Sequence, residues 1–426
     1  VADAAVGPAT ATMPPPPATA ATATDGTLSP TSLVLTATSS PTAATLAPTE
    51  VLPPTSIPTP EIPTPTVVPP LDPAIAAELQ RVLDETVADG YIPGAVLAVT
   101  IPGYQPWGGA SGVADRQQGL PMEPATRMRI ASLSKIFTAV TVLLLVEEGR
   151  INLDAPIATA LPGLLAKGDR ITPRQLLNHR TGLYDFLEDR NFLTQAYLDP
   201  NRVFAPAELV AYAEQFAPMF EPGTPGAWDY SSTNFVILGM LVEQVTGRSL
   251  AQEMRERIFE PLGLEHTFFA PDEPIVGQAH GYSREIDQTN VAMSFAFATA
   301  NLVSSADDVR RFAEALFGGR LLKPETLSAM YGFVSGYGQY NMPALEYGLG
   351  LMRNQLPVGP AANGLPRPPE VTTVLGHIGG FGGFRSALWH APESGITIAL
   401  SVNQAAMDPN TLATRVFDTI LTLQGR

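Results

Sequence analysis

The stretch Ser132-Leu133-Ser134-Lys135-Ile136-Phe137-Thr138-Ala139-Val140-Thr141-Val142-Leu143-Leu144-Leu145-Val146 decides how the chain is read. Its apolar run, Ile136 to Val146, is too short to cross a bilayer and ends in Glu147-Glu148, so it predicts a buried core helix. A lysine three residues after a serine on a helix lies one turn on, on the same face. Serine is a weak nucleophile until a neighbouring base takes its proton, and Lys135 is spaced to do so. Ser132 would then stand at a helix N-terminus, where unsatisfied N–H groups and the helix dipole favour negative charge on an attacked carbonyl. The chain has only three lysines, Lys135, Lys167 and Lys323, in a composition that otherwise prefers arginine. Taken alone, Ser-x-x-Lys is equally well an N-cap serine with a solvated lysine in the first turn.

Working outward, Ala74 to Ala88 carries Ile75, Leu79, Val82, Leu83 and Val87 at helical spacing. Gly94 to Thr100 and Trp107 to Val113 read as a hairpin around Pro102-Gly103. Residues 151 to 325 read mainly as helix, with Thr172-Pro173 and Ala205-Pro206 as starts. Strands return at Tyr347 to Met352, Thr372 to Leu375, Arg385 to His390 and Ile396 to Val402, followed by an apolar-periodic helix from Asn410 to Leu423. Strands at both ends with helices between predict an α/β chain of the α+β type: an antiparallel sheet flanked by helices and completed by both termini, with an inserted all-α lobe. The sheet lobe is expected at about 73–150 and 330–426, and the helical lobe at about 151–329.

The segment 1–72 differs. It has no lysine, arginine, histidine or aromatic residue and is mostly Pro, Thr, Ala and Ser. Such a composition cannot bury enough apolar surface to offset its chain entropy, so a disordered stalk or linker is expected, with 73–426 as the folded domain. A stalk implies a tether to a cell surface and an extracytoplasmic location. The formal charge of -16 gives no basic stripe for nucleic acid. The chain has no cysteine, which excludes disulfides and thiolate chemistry. No His-Glu-x-x-His, Gly-x-Ser-x-Gly or Gly-x-x-x-x-Gly-Lys occurs, and neither a metal nor a cofactor is expected.

Two further motifs resolve the ambiguity of Ser-x-x-Lys. With Tyr230-Ser231-Ser232 and His377-Ile378-Gly379, the chain resembles the class C β-lactamases, D-Ala-D-Ala carboxypeptidases and related esterases, whose pattern is Ser-x-x-Lys, Tyr-x-Asn and His-x-Gly. The likeness runs over about residues 73 to 426 and includes Leu177-Asn178-His179 with Thr181-Gly182-Leu183, Pro261-Leu262-Gly263-Leu264 and Tyr347-Gly348-Leu349-Gly350-Leu351. The resemblance implies a β-lactamase/penicillin-binding-protein-like fold and Ser132 as nucleophile. Lys135 and Tyr230 would share the Ser132 proton, the phenol being lowered by the ammonium. His377 would close the cleft and orient Tyr230 or the leaving group, and the N–H groups of Ser132 and Gly380 would form the oxyanion hole. Ser232, Gly379, Gly380 and Arg385 are the expected substrate contacts, and His179 is expected to bond to backbone.

The departures from the pattern bear on the substrate. Ser232 stands where the family often has Asn, and a hydroxyl is shorter and has fewer donors than an amide. Met352 stands where the carboxypeptidases carry a carboxylate-binding arginine, and Gly380 where they carry a hydroxyl residue. Arg353 is one place late, which on a strand turns the side chain to the other face. Arg353 and Arg385 both stay open as carboxylate ligands. The expected partner is a small-molecule or peptide substrate. A D-Ala-D-Ala carboxypeptidase-like serine hydrolase is the first reading and a carboxylesterase the alternative. A class C-type β-lactamase and a non-catalytic wall-peptide binder are weaker ones.

Overall fold

The computed structural model describes residues 68–336 and 339–425. Of the stalk expected at 1–72, residues 1–67 therefore lie outside the described residues.

Nine strands among the described residues form one antiparallel sheet. Their order is Leu120–Pro121, Trp107–Asp115, Gly94–Thr100, Thr397–Val402, Phe384–His390, Thr373–Phe381, Met352–Gln355, Glu346–Tyr347 and Val334–Ser335. The first hairpin pairs with the last strand, Leu97 opposite Leu400, so both ends of the domain complete the sheet as expected. Thr397–Val402 is buried along its whole length. The pleat sends alternate side chains to two cores. Ala387, Trp389, Ile398 and Leu400 face helices Pro73–Val87 and Pro409–Leu423, whereas Leu388 and Ala399 join the larger core built around helix Ser134–Glu147. Local chemistry sets the helix ends: Asp72 caps the first helix, Thr172 and Gln175 form a capping box before Pro173–Leu177, and Asp408 caps the last.

Three details differ from the sequence reading. Tyr347 to Met352 is not one strand: Gly348-Leu349-Gly350 turns the chain between Glu346–Tyr347 and Met352–Gln355, with Gly350 at φ +78°. A Cβ on Gly350 would come within 2.3 Å of Ala139, so this turn can rest on the Ser134–Glu147 helix only because the residue is glycine. The strand expected to end at Leu375 continues to Phe381. The inserted lobe is not helix alone, since it holds Leu302–Ser304, which pairs on one side with Phe268–Phe269 and on the other with Met128–Arg129, and a small hairpin at Tyr282–Asp287. Among the described residues, no helix is long and apolar enough to cross a membrane.

Leu400→Ala removes a 1 % exposed side chain from the core beneath the terminal helices. It is expected to lower unfolding free energy by roughly 2–5 kcal/mol in a urea titration.

Candidate active site

Ser132 lies in a 3₁₀ turn, Ala131–Leu133, that leads directly into helix Ser134–Glu147. The turn is sharp: Ala131 has φ +51°, sparsely populated for a residue with a Cβ. Neighbouring elements hold it in place. The Ser386 hydroxyl donates to the Ile130 carbonyl at 2.7 Å, the Ile130 N–H to Leu302 at 3.0 Å, and the Leu302 N–H to the Ser134 hydroxyl at 3.1 Å. Strand Thr373–Phe381 runs alongside so closely that a Cβ on Gly379 would stand 2.4 Å from the Ile130 carbonyl and 3.0 Å from the Ser132 nitrogen.

Lys135 has no solvent exposure, which rules out a solvated first-turn lysine. Its Nζ has three oxygen partners: Ser132 Oγ at 3.2 Å, Ser232 Oγ at 3.4 Å and the Thr299 carbonyl at 3.2 Å. It also stands 4.9 Å from the centroid of the Tyr230 ring. Burial lowers its pKa to about 7, against the raising influence of Asp185. A neutral amine has two N–H bonds, which Ser232 and Thr299 can accept, and a lone pair left to face the Ser132 hydroxyl.

Tyr230 is buried and hydrogen-bonded to Ser132. Its expected lowered pKa is corrected: burial pushes the phenol well above its ordinary value, so it is a neutral hydroxyl beside Ser132. His179 fixes the Tyr230 segment. Its Nδ1 accepts the Ser231 N–H at 3.1 Å, and its ring packs on that of Tyr230 with centroids 4.3 Å apart.

His377 is on its strand, at the wall of the cleft, with a different partner from the one expected. Its Nδ1 lies against the Ile378 carbonyl and so carries the proton, leaving Nε2 to accept the Tyr347 hydroxyl at 3.0 Å. Burial lowers its pKa to about 3, so it is neutral at working pH. It meets Tyr230 by ring packing at 6.1 Å.

Ser132, Tyr230, Ser232, His377, Gly379, Gly380 and Arg385 line one cleft between the sheet and the helical lobe. Met352 lines it too. Arg353 points away, pairing with Glu346 and lying 4.5 Å over the Phe333 ring. Arg385 donates from Nε to the Ala405 carbonyl at 2.7 Å. Its guanidinium fills the space over Gly380, where a Cβ would fall 1.7 Å from Nη1.

Sequence reasoning missed Asp185, Glu188 and Tyr347. Asp185 is buried in the cleft, accepts the Leu187 N–H at 3.0 Å and accepts both the N–H and the hydroxyl of Ser232. A carboxylate, a hydroxyl, an amine and a second hydroxyl thus run in series from Asp185 through Ser232 and Lys135 to Ser132. Asp185 lies one residue beyond the Thr181-Gly182-Leu183-Tyr184 stretch, and its Asx cap before Phe186 was the one available signal.

A partly buried serine on a strained turn, a buried lysine of lowered pKa and a tyrosine between two lobes define the penicillin-recognising class of serine hydrolases. The Beta-lactamase family model matches residues 79–420, and the chain belongs to that family of serine hydrolases. It is 30% identical to a D-aminopeptidase of Brucella anthropi over 72% of this chain and 56% of the aminopeptidase. It is 31% identical to esterase EstB of Burkholderia gladioli over 60% of this chain and 73% of the esterase. The chain therefore spans only part of the length of the named relatives it matches. Its fold superposes on the crystal structure of D-amino acid amidase from Ochrobactrum anthropi SV3 with TM-score 0.72 and 28% identity, covering 82% of this chain and 99% of the amidase.

With three lysines in the chain, ¹³C-lysine labelling should give one resonance that titrates near pH 7, assigned to Lys135 by its loss in Lys135→Ala. Asp185→Asn removes the negative field that favours the ammonium, so the midpoint is expected to move to lower pH. A midpoint that stays or rises contradicts the coupling.

Proposed function

We propose that the chain cleaves D-amino-acyl amide bonds that lie next to a free carboxylate, as a D-Ala-D-Ala carboxypeptidase-like enzyme. The observation that carries this reading is Arg385. The family's arginine position is Met352 and its hydroxyl position is Gly380, and the cross-strand neighbour of Gly380 brings a guanidinium into the space the missing side chain leaves. A guanidinium there, in the cleft that holds Ser132, suits a carboxylate on the leaving group. The D configuration follows the relatives named D-aminopeptidase and D-amino acid amidase.

In this mechanism the Ser132 oxygen attacks the amide carbonyl and its proton passes to the neutral Lys135. The N–H groups of Ser132 and Gly380 hold the oxyanion. The C–N bond breaks as the leaving nitrogen takes a proton, relayed through the Tyr230 hydroxyl from Lys135. Water then attacks the acyl-enzyme, gives its proton to the same amine, and releases Ser132 and the acid. His377 stays neutral at the cleft wall, its ring held in place from behind by the buried Tyr347 hydroxyl.

One observation favours a carboxylesterase as the second reading. Ser232 has a single hydroxyl hydrogen and Asp185 takes it, so the residue cannot also donate to a substrate amide, and an ester needs that contact less. The relative EstB is named an esterase.

Lys135→Ala is expected to lower kcat/KM about 10²–10⁴-fold on any substrate, measured with a p-nitrophenyl ester. Arg385→Gln is expected to raise KM for a D-Ala-terminated peptide about 10- to 100-fold, the worth of a charge-assisted hydrogen bond, with a far smaller effect on the ester. Equal effects on both substrates would overturn the carboxylate assignment and leave the esterase.

A further inference from the structure

The cleft carries a second charge of opposite sign, on its other wall. Glu188, in the turn Phe186–Glu188 of the helical lobe, lines the cleft with a carboxyl group that has no ion-pair or hydrogen-bond partner among the described residues. Arg385, on the sheet, likewise has no carboxylate within ion-pairing distance among them, and its donor contact there is to a backbone carbonyl. The two do not answer each other. The carboxylate that acts on Arg385 is Asp408, which lies beyond ion-pairing distance, and those that act on Glu188 are Asp185 and Asp229. Burial and those two like charges together push the Glu188 carboxyl up, a crowding that a bound cation would relieve. The cleft therefore offers an anion on the helical wall and a cation on the sheet wall, neither held in an ion pair among the described residues, with Ser132 in the same cleft.

One class of ligand satisfies both. In an unblocked dipeptide the ammonium is two bonds from the scissile carbonyl carbon and the carboxylate carbon is two bonds from the scissile nitrogen, on opposite sides of the bond. We propose that the preferred substrate is a zwitterionic D,D-dipeptide, with its ammonium on Glu188 and its carboxylate on Arg385. This rests on the carboxylate reading above and adds a requirement to it. A wall-type peptide presents an acylated amine to Glu188, which then gains no cation. Cleavage follows the acyl-enzyme route, consumes one water and yields two free D-amino acids.

The test compares kcat/KM for D-Ala-D-Ala and N-acetyl-D-Ala-D-Ala on the whole chain. The free dipeptide is expected to be favoured at least about tenfold, in line with one charge-assisted contact, and Glu188→Gln to bring the ratio toward one. A preference for the acetylated peptide, or a ratio that Glu188→Gln does not move, overturns the proposal even if both peptides are cleaved. If neither peptide is cleaved, the carboxypeptidase reading has failed. The amine requirement is then read separately from D-alanyl and N-acetyl-D-alanyl p-nitrophenyl esters, where the same preference supports Glu188 as the ammonium site and its absence refutes it.

Discussion

Lys135 is withdrawn from water completely, and the chemistry of the site follows from that. An ammonium in such a place loses its hydration, and with no carboxylate in direct contact it releases its proton near neutrality. The three oxygens around Nζ satisfy either protonation state: three hydrogen bonds from the ammonium, or two from the amine with the lone pair toward Ser132. The same burial acts on Tyr230 in the opposite chemical sense, holding the phenol neutral. One physical effect thus leaves an amine able to accept a proton beside a phenol that keeps its own, both crowded around a single hydroxyl.

That arrangement requires two lobes to meet without intervening side chains. Gly379 lets the sheet approach the Ser132 turn, and Gly380 makes room for Arg385. Ser386 and Leu302 fasten the turn from the sheet and from the helical lobe. The strained φ at Ala131 is held by these contacts on both sides, which is how a conformation of this kind persists at a site.

The parts legible in the sequence are those whose signals are local or repeated. The Ser132–Lys135 spacing is a property of one helical turn, the hairpin and terminal helices show in their periodicity, and Met352 and Arg353 part faces as strand alternation demands. The illegible parts depend on pairings across the fold. Tyr347 reaches His377 across 30 residues and Asp185 reaches Ser232 across 47, with nothing local to announce either. The direction of the Tyr230 shift was missed for a related reason. Spacing reveals a neighbouring cation, but only the packed structure shows that burial outweighs it.

The serine at position 232 is best understood together with Asp185. An asparagine can receive from the lysine and still donate to a substrate, whereas a hydroxyl with one hydrogen cannot donate twice. Giving that hydrogen to Asp185 turns the oxygen's lone pairs toward Lys135, and it brings a carboxylate close enough to temper the loss of charge that burial imposes on the amine. In the proposed mechanism the serine therefore exchanges a substrate contact for control over the base. Recognition would then come from elsewhere in the cleft, where Arg385 and Glu188 stand without an ion-pair partner among the described residues and without a part in holding Lys135.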